Sequence, residues 1–369
     1  MSTAVDLAIV GAGFAGLACA HSAARRGLSV LVLDRKAAPG HRMHTTGLLV
    51  KEVAEKLNVP AHLTRTISGV RLYAPNLRFV DLDAPGYYFL ATDIQGLMSW
   101  LAQRATASGA TLCFGTPYRG IHDIRSADEG RLLALRDMDA SARFLLGADG
   151  PSSAVAREFR LSANREFLIG VEAEYEGISN VDENRLHCFL DAELAPGYIG
   201  WVIPGVNITQ VGLACRVPGK PRLRDFVQKI SALFDFSKAR LLTHRGGLIP
   251  VGGRVDNWST ERVLLAGDAA GIVSPLTAGG IHTALESGWR AGHAIADFLR
   301  NGGPHPGVAL APHYPPFRLK RLMRRCFDLN PPNALYNLLL GSAPFRSFAA
   351  EVYFHRRAMK SRQSGKPDN

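Results

Sequence analysis

The stretch Leu7-Ala8-Ile9-Val10-Gly11-Ala12-Gly13-Phe14-Ala15-Gly16 decides how this chain begins to fold. Four apolar residues run into a glycine-rich turn, and small apolar residues after it can continue as a helix. Gly11 permits the tight turn out of the strand, and Gly13 lets backbone N–H groups approach a pyrophosphate. Gly16 lets the helix pack close to the sheet. The start of that helix then faces an anion with unpaired amides and the positive end of its dipole. A second strand, Ser29 to Leu33, ends at Asp34. That is near the spacing of about 20 residues at which a carboxylate meets a ribose hydroxyl. A glycine turn alone also occurs for structural reasons. With a strand before, a helix after and an acid beyond, it reads as a dinucleotide site, with Phe14, Ala15 and Arg35 beside it.

Two further apolar strands end in turns of the same kind: Leu145-Leu146-Gly147-Ala148-Asp149-Gly150 and Val263-Leu264-Leu265-Ala266-Gly267-Asp268-Ala269-Ala270. In an open parallel sheet such ends converge on the ligand crevice. The trio, in this order, resembles the FAD-dependent monooxygenase and reductase superfamily built on the para-hydroxybenzoate hydroxylase fold. The resemblance runs from about residue 4 to about residue 300. It implies FAD as the cofactor, with Asp268 accepting hydrogen bonds from the ribityl chain. The chain departs from the family at Asp34, where Glu is usual. It departs again at Thr92-Asp93-Ile94-Gln95-Gly96-Leu97, where the helix around Ile94 to Leu101 usually carries an Arg. One family contact to the FAD phosphates is therefore missing or supplied differently.

With 369 residues, 47% hydrophobic and 20% charged, the chain has the balance of a globular protein large enough for two domains. No apolar run reaches the ~18 residues that span a bilayer. The N-terminus has no basic n-region, carries Asp6, and is used up by the first strand. Five scattered cysteines without a CxxC pair favour reduced thiols and a cytoplasmic location over a disulfide framework or a zinc site. The net charge of +11 is uneven: from residue 301 onward there are eleven Lys or Arg and three Asp or Glu. A basic excess in one terminal segment argues against a nucleic-acid partner and for an anionic surface met by that segment.

Residues 1–65 read as strand, helix, strand, then a helix through Val53 to Leu57. Val70 to Ala74 and Leu77 to Leu82 alternate like hairpin strands. Residues 91–109 return to a helical period, and 166–258 are mostly strands broken by a helix at 222–235. A long helix is expected from Gly280 to Leu299. The expected architecture is α/β, and α+β overall. A Rossmann-like FAD-binding domain is discontinuous over 1–65, 91–165 and 261–300. An inserted, mainly antiparallel β substrate domain takes 66–90 and 166–260, and a basic helical segment takes 301–369. A linker is expected at Asn301 to Gly307 and a frayed end over Ser361 to Asn369.

In Ser274-Pro275-Leu276-Thr277-Ala278-Gly279-Gly280-Ile281-His282, a rigid proline and two glycines precede a helix. The amides at such a start can meet the pyrimidine edge of a flavin, where negative charge collects on reduction. Hydroxylases of the family commonly read Ala-Ala-His where this chain has Ala269-Ala270-Gly271, and carry an Asp where it has Ser287-Gly288. The wording here resembles the geranylgeranyl reductase branch, whose members saturate isoprenoid double bonds. That branch has a Tyr-x-Trp-x-Phe-Pro signature. Here Pro196-Gly197-Tyr198-Ile199-Gly200-Trp201-Val202-Ile203-Pro204 keeps Trp201 and Pro204, replaces Phe by Ile203, and has Tyr198 one residue early. Flavin-dependent halogenases carry a related Trp-x-Trp-x-Ile-Pro. Period-two alternation puts Ile199, Trp201 and Ile203 on one face, either as the wall of an apolar substrate channel, with Tyr198 and Pro204 beside it, or as ordinary sheet core.

The resemblance also brings His41-Arg42-Met43-His44-Thr45-Thr46-Gly47-Leu48 past the flavin ring, with Thr46, Gly47, Pro275, Gly279, Gly280 and Ile281 as flavin-facing positions. Many reductases of the branch have Cys where this chain has Thr46, so a thiol role does not transfer. His41 and His44 lack the carboxylate or Cys company of a metal site, and no metal is expected. No second GxGxxG follows the first, so NAD(P)H or another reductant would dock transiently. No Ser-His-Asp or paired-carboxylate pattern stands out, as expected where a flavin performs the redox step.

The tail Phe317-Arg318-Leu319-Lys320-Arg321-Leu322-Met323-Arg324-Arg325-Cys326-Phe327 is a basic amphipathic helix. Its apolar face either covers the substrate domain or rests on an anionic membrane, which would place the protein at a membrane's inner face. The sequence thus points to an FAD-dependent reductase of an apolar, isoprenoid-like substrate. A monooxygenase that hydroxylates or epoxidises, or a halogenase, is the alternative.

Overall fold

A computed structural model describes residues 3–127 and 130–354; the expected frayed end at 361–369 lies outside them. In chain order the strands begin β1 (Thr3–Val10), β2 (Val30–Asp34), β3 (Leu48–Val50), β4 (Thr64–Ile67), β5 (Gly69–Tyr73) and β6 (Phe79–Asp83). They continue with β7 (Phe89–Thr92), β8 (Thr111–Phe114), β9 (Ile121–Ala127), β10 (Gly130–Leu135), β11 (Ala140–Gly147) and β12 (Phe167–Glu176). The last are β13 (Arg185–Leu190), β14 (Ile199–Pro204), β15 (Thr209–Arg216), β16 (Arg240–Pro250) and β17 (Val263–Leu265). The helices begin α1 (Phe14–Arg25), α2 (Lys51–Leu57), α3 (Ile94–Ala107), α4 (Ala154–Glu158) and α5 (Leu223–Ile230). They end α6 (Ile281–Asn301), α7 (Pro306–Leu310), α8 (Arg318–Asp328), α9 (Asn333–Leu339) and α10 (Ala343–Phe354).

Two compact units divide the chain. The first takes 1–43, 94–167 and 249–321, and the second takes 44–93, 168–248 and 322–369. Residues 44–65, expected with the cofactor domain, fall in the second unit. The reason is pairing: β3 and β4 both lie antiparallel to β7 in a three-stranded sheet. The terminal segment is no unit of its own, because its first part packs within the first unit, where Tyr314 donates to the carbonyl of Leu265 at 3.0 Å.

In the first unit the sheet order is β8-β2-β1-β11-β10-β9, with β17 pairing the far end of β11. β1, β2, β8, β11 and β17 are parallel neighbours. Leu7, Ile9, Leu145, Leu146, Leu264 and Leu265 are fully buried. Continuous apolar runs of this kind mark strands covered on both faces. α1 packs against α6 at very short range. A β-carbon at Gly288 would lie 2.0 Å from the carbonyl oxygen of Ala15, and one at Gly292 would lie 2.7 Å from that of Cys19. Ser22 fastens the pair by donating to the carbonyl of Trp289 at 2.9 Å. Gly288 is thus a packing requirement.

In the second unit the larger sheet runs β16-β12-β15-β14-β13-β5-β6. The β5–β6 pair is the expected antiparallel hairpin, while β13 runs parallel to β5. One face packs on α5: Val202, Val211 and Leu213 meet Phe226, Ile230 and Phe234. Gly200 leaves room for the Phe226 ring, since a β-carbon there would lie 2.6 Å from it.

The amphipathic helix forms as α8, but its faces are not turned as simple covering requires. Met323 and Phe327 are half-buried, whereas Leu319 and Leu322 are 70% and 59% exposed. Beyond it Leu329 and Leu338 are 82% and 76% exposed. Arg324 is the inward cation, 2% exposed and paired with Asp328 at 3.0 Å. Asp328 also pairs with Arg216. Among the described residues, no helix is long and apolar enough to cross a membrane.

Candidate active site

Strand register brings the three glycine-containing turns together. Val10 stands opposite both Leu33 and Gly147, and Gly147 opposite Leu265. The ladder continues one residue further: Gly11 N donates to Leu33 O at 2.7 Å, Ala148 N to Val10 O at 2.8 Å, and Ala266 N to Gly147 O at 2.9 Å. Gly11, Asp149 and Asp268 therefore leave one carboxyl edge of one parallel sheet. The edge holds a topological switch point, because β2 and β8 lie to one side of β1 and β11 and β17 to the other.

The first turn leaves open space at its centre. Gly11 has φ +101°, and a β-carbon on it would strike Ala148 O at 2.3 Å. A β-carbon on Gly16 would strike Gly11 O at 1.8 Å, whereas at Gly13 it would meet none of the described residues within 4 Å. Gly13 is the N-cap of α1, and the helix opens without a side-chain cap, so its first amides are available to an anion. Phe14 and Ala15, the first two helical residues, are buried.

Asp34 ties its strand end to that turn. Its Oδ2 accepts from Ala12 N at 2.7 Å and its Oδ1 from Lys36 N at 2.8 Å. Each oxygen keeps a lone pair that a ribose hydroxyl can use. Arg35 is exposed. Lys36, which no motif singles out, is the half-buried cation beside Asp34, and burial lowers its affinity for a proton.

The other two carboxylates differ in what they lack. Asp149 caps α4 through Oδ2, accepting from Ala154 N at 2.7 Å and Val155 N at 3.2 Å. Its Oδ1 is buried without a hydrogen-bond partner among the described residues. Asp268 has no donor on its carboxylate among the described residues, and burial pushes its pKa up to about 6. Its backbone is held instead: Asn164 donates to the Asp268 carbonyl at 2.8 Å and to that of Pro151 at 3.1 Å. Ser287 accepts from Gly267 N at 3.2 Å. Asn164 lies in no motif and Ser287 stands out in the sequence only as part of a departure from the hydroxylases; the folded chain exposes their part in fixing this turn.

Asp268 and the start of α6 meet. A β-carbon on Gly280, the N-cap, would lie 3.4 Å from Asp268 Oδ1. The loop before it closes on itself through Ser274 N to Gly279 O at 3.1 Å and Ala278 N to Ser274 O at 2.9 Å, with Pro275 buried. The first backbone bond of the helix is Ala284 N to Gly280 O, so the amides from Ile281 onward precede the intrahelical ladder. An open glycine turn, two under-satisfied carboxylates and a glycine-led helix start on one sheet edge suit an elongated ligand. Its anionic middle would meet α1, and its hydroxyls the carboxylates. FAD has that chemistry, and these residues fit it.

In the second unit, Gly47 has φ +67° and its carbonyl accepts from buried Thr92 at 2.7 Å, leaving Thr46 partly exposed just before β3. On β14, Ile199, Trp201 and Ile203 share the face opposite the α5 core. Trp201 and Ile203 are buried, as is Pro204, while Tyr198 and Ile199 are half-buried. The Trp201 indole is not among apolar groups alone, since its Nε1 donates to Glu172 at 2.7 Å. Burial raises the Glu172 pKa, opposed by Arg245.

The family model for the FAD binding domain matches residues 4–306. The chain is 29% identical over 312 residues to a geranylgeranyl diphosphate reductase of Rhodobacter capsulatus, covering 81% of this chain and 77% of that protein. It is 31% identical over 320 residues to a digeranylgeranylglycerophospholipid reductase of Methanopyrus kandleri, covering 80% and 77%. A geranylgeranyl bacteriochlorophyll reductase-like protein from Thermoplasma acidophilum shares the fold with a TM-score of 0.82 at 18% identity, over 98% and 99% of the two chains. The chain belongs to the FAD binding domain family and is an FAD-dependent oxidoreductase of the geranylgeranyl reductase type.

Proposed function

We propose that this protein saturates carbon–carbon double bonds of an isoprenoid chain borne by a lipid or a diphosphate. The observation that carries the reading is similarity across four-fifths of the chain to reductases named for geranylgeranyl groups on a diphosphate and on a glycerophospholipid. Bound FAD, once reduced by an external donor, would supply the hydride for such a reduction, and a proton would complete the saturation of the double bond. The chain's own residues bind and orient. The turn at Gly11, Gly13 and Gly16 and the start of α1, with Phe14, Ala15 and Arg35 beside them, take the pyrophosphate region. Asp34 takes a ribose hydroxyl, Asp149 a further hydroxyl, and Gly267 places Asp268 on the ribityl chain. Gly279, Gly280 and Ile281 offer amides to the pyrimidine edge, with Pro275, Thr46 and Gly47 as flavin-facing loop positions. Ile199, Trp201 and Ile203, with Tyr198 and Pro204, wall the apolar substrate channel. NAD(P)H or another reductant docks transiently as donor. Mass spectrometry of lipid extracted from the purified yellow protein tests the substrate class: an isoprenoid lipid is expected, and a small aromatic compound would count against it.

The same reading places the protein against an anionic membrane surface. What supports this is the exposure of Leu319 and Leu322 on α8, beside exposed Arg318, Arg321 and Arg325 of the same helix, and of Leu329 and Leu338 after it. Leucines enter the acyl boundary while arginines meet headgroups, each worth about 1 kcal/mol near such a surface and screened by salt. A substrate that resides in a membrane would then enter from it.

A further inference from the structure

The face of the larger sheet that carries Trp201 also carries a row of charge. Trp201, Gly212 and Glu172 stand opposite one another on β14, β15 and β12. The indole crosses β15 directly over Gly212, where a β-carbon would lie 2.6 Å from Cε2 and Cζ2 and 2.8 Å from Nε1. Beyond the glycine the indole N–H meets Glu172 Oε2 at 2.7 Å. Arg245 of β16 holds the far oxygen, donating from Nε to Glu172 Oε1 at 2.9 Å, and pairs with Glu174 at 2.7 Å. All of these groups are buried or nearly so.

Buried ion pairs are a weak source of stability, because desolvation offsets most of their attraction. A well-packed apolar row would hold the sheet as well. What the charged row adds is direction: it offers the indole N–H one acceptor, at one distance, fixed from behind by a guanidinium. We propose that Glu172 and Gly212 are positioning residues that lay the Trp201 indole flat across β15, and so set the width of the substrate channel and the isoprenoid length it takes. This rests on the reading of Trp201 as channel wall. Gly212 keeps the space beneath the ring empty, and Glu172 stops the ring from turning about its side-chain bonds.

The test compares Trp201→Phe, Gly212→Ala, Glu172→Met and Glu172→Gln in the FAD-loaded protein. The readouts are KM and kcat with geranylgeranyl diphosphate and with farnesyl diphosphate. A third readout is acrylamide quenching of Trp201 emission, isolated by subtracting the Trp201→Phe variant. Gly212→Ala and Glu172→Met should raise KM for the longer chain roughly tenfold with kcat changed by no more than about twofold. They should narrow the preference between the two chains and expose Trp201 to quencher, with the flavin-to-protein absorbance ratio unchanged. Glu172→Gln keeps an oxygen for the indole and should shift all three readouts less than Glu172→Met does. If Trp201→Phe alters chain preference while Gly212→Ala and Glu172→Met alter neither preference nor quenching, the positioning role is overturned. If Trp201→Phe leaves preference unchanged, the channel-wall reading itself fails. Should Gly212→Ala not fold, Glu172→Met gives the same readouts.

Discussion

A β-carbon at Gly16 would stand 1.8 Å from the carbonyl oxygen of Gly11. The first turn is thus closed against its own helix, while Gly13 between them faces open space. The three glycines of one motif answer to different demands: backbone conformation at Gly11, ligand approach at Gly13, and packing at Gly16.

That contrast separates cofactor binding from folding. Gly13→Val should leave the melting temperature of the FAD-free protein nearly unchanged and sharply lower flavin occupancy, because its side chain fills only the space facing the ligand. Gly16→Ala should destabilise the fold by about 1–3 kcal/mol, as an added carbon in a packed site does. Thermal unfolding of the FAD-free proteins and the ratio of flavin to protein absorbance distinguish the two. Full flavin occupancy in Gly13→Val would remove the turn from the site.

FAD affinity should depend on pH through Asp268. Burial pushes its pKa in the folded protein up to about 6, above the ordinary carboxylate range. In the FAD-free protein the stability linked to this proton is therefore fully present below the unfolded value and is lost as pH rises through about 6. Hydroxyl donors prefer the ionised carboxylate, by roughly 1.5–3 kcal/mol for a charged partner. Binding should hence be tightest above that pKa and weaken as pH falls through it. Asp268→Asn should bind FAD more weakly at high pH and flatten the profile. Titration by flavin fluorescence quenching checks this, and a wild-type affinity independent of pH would count against the assignment.

Membrane docking should need both leucines and arginines. The wild type should sediment with vesicles of anionic lipid at low salt and be released at high salt. Replacing Arg318, Arg321 and Arg325 by Glu, or Leu322, Leu329 and Leu338 by Ser, should abolish sedimentation while sparing FAD content. Arg324 is left alone because it is buried against Asp328 and its loss would disturb the fold. Equal sedimentation by all three proteins would contradict a membrane role for these side chains.

Much of the cofactor unit was legible because its signals are local. Glycine spacing, an apolar run before each turn and the acid after the second strand all lie within short windows. The row that aligns Val10, Gly147 and Leu265 was not, since it depends on pairings more than a hundred residues apart. Period-two alternation placed Ile199, Trp201 and Ile203 on one face, yet nothing in it shows that Glu172, two strands away, meets the indole. The helical period of 317–327 identified an apolar face but not which way the fold turns it. For that reason Leu319 and Leu322 lie outside while Arg324 lies within. The segment 44–65 looked continuous with the cofactor domain because short strands such as β3 carry little pattern, and only β7 reveals where they pair.

The most direct test of the central claim is anaerobic stopped-flow reoxidation of the reduced flavin on mixing with geranylgeranyl diphosphate, followed by product mass. Return of the oxidised flavin absorbance without oxygen, with a product two hydrogens heavier for each bond reduced, is the predicted result. A flavin that stays reduced until oxygen is admitted, with a product that gains an oxygen atom, would contradict it.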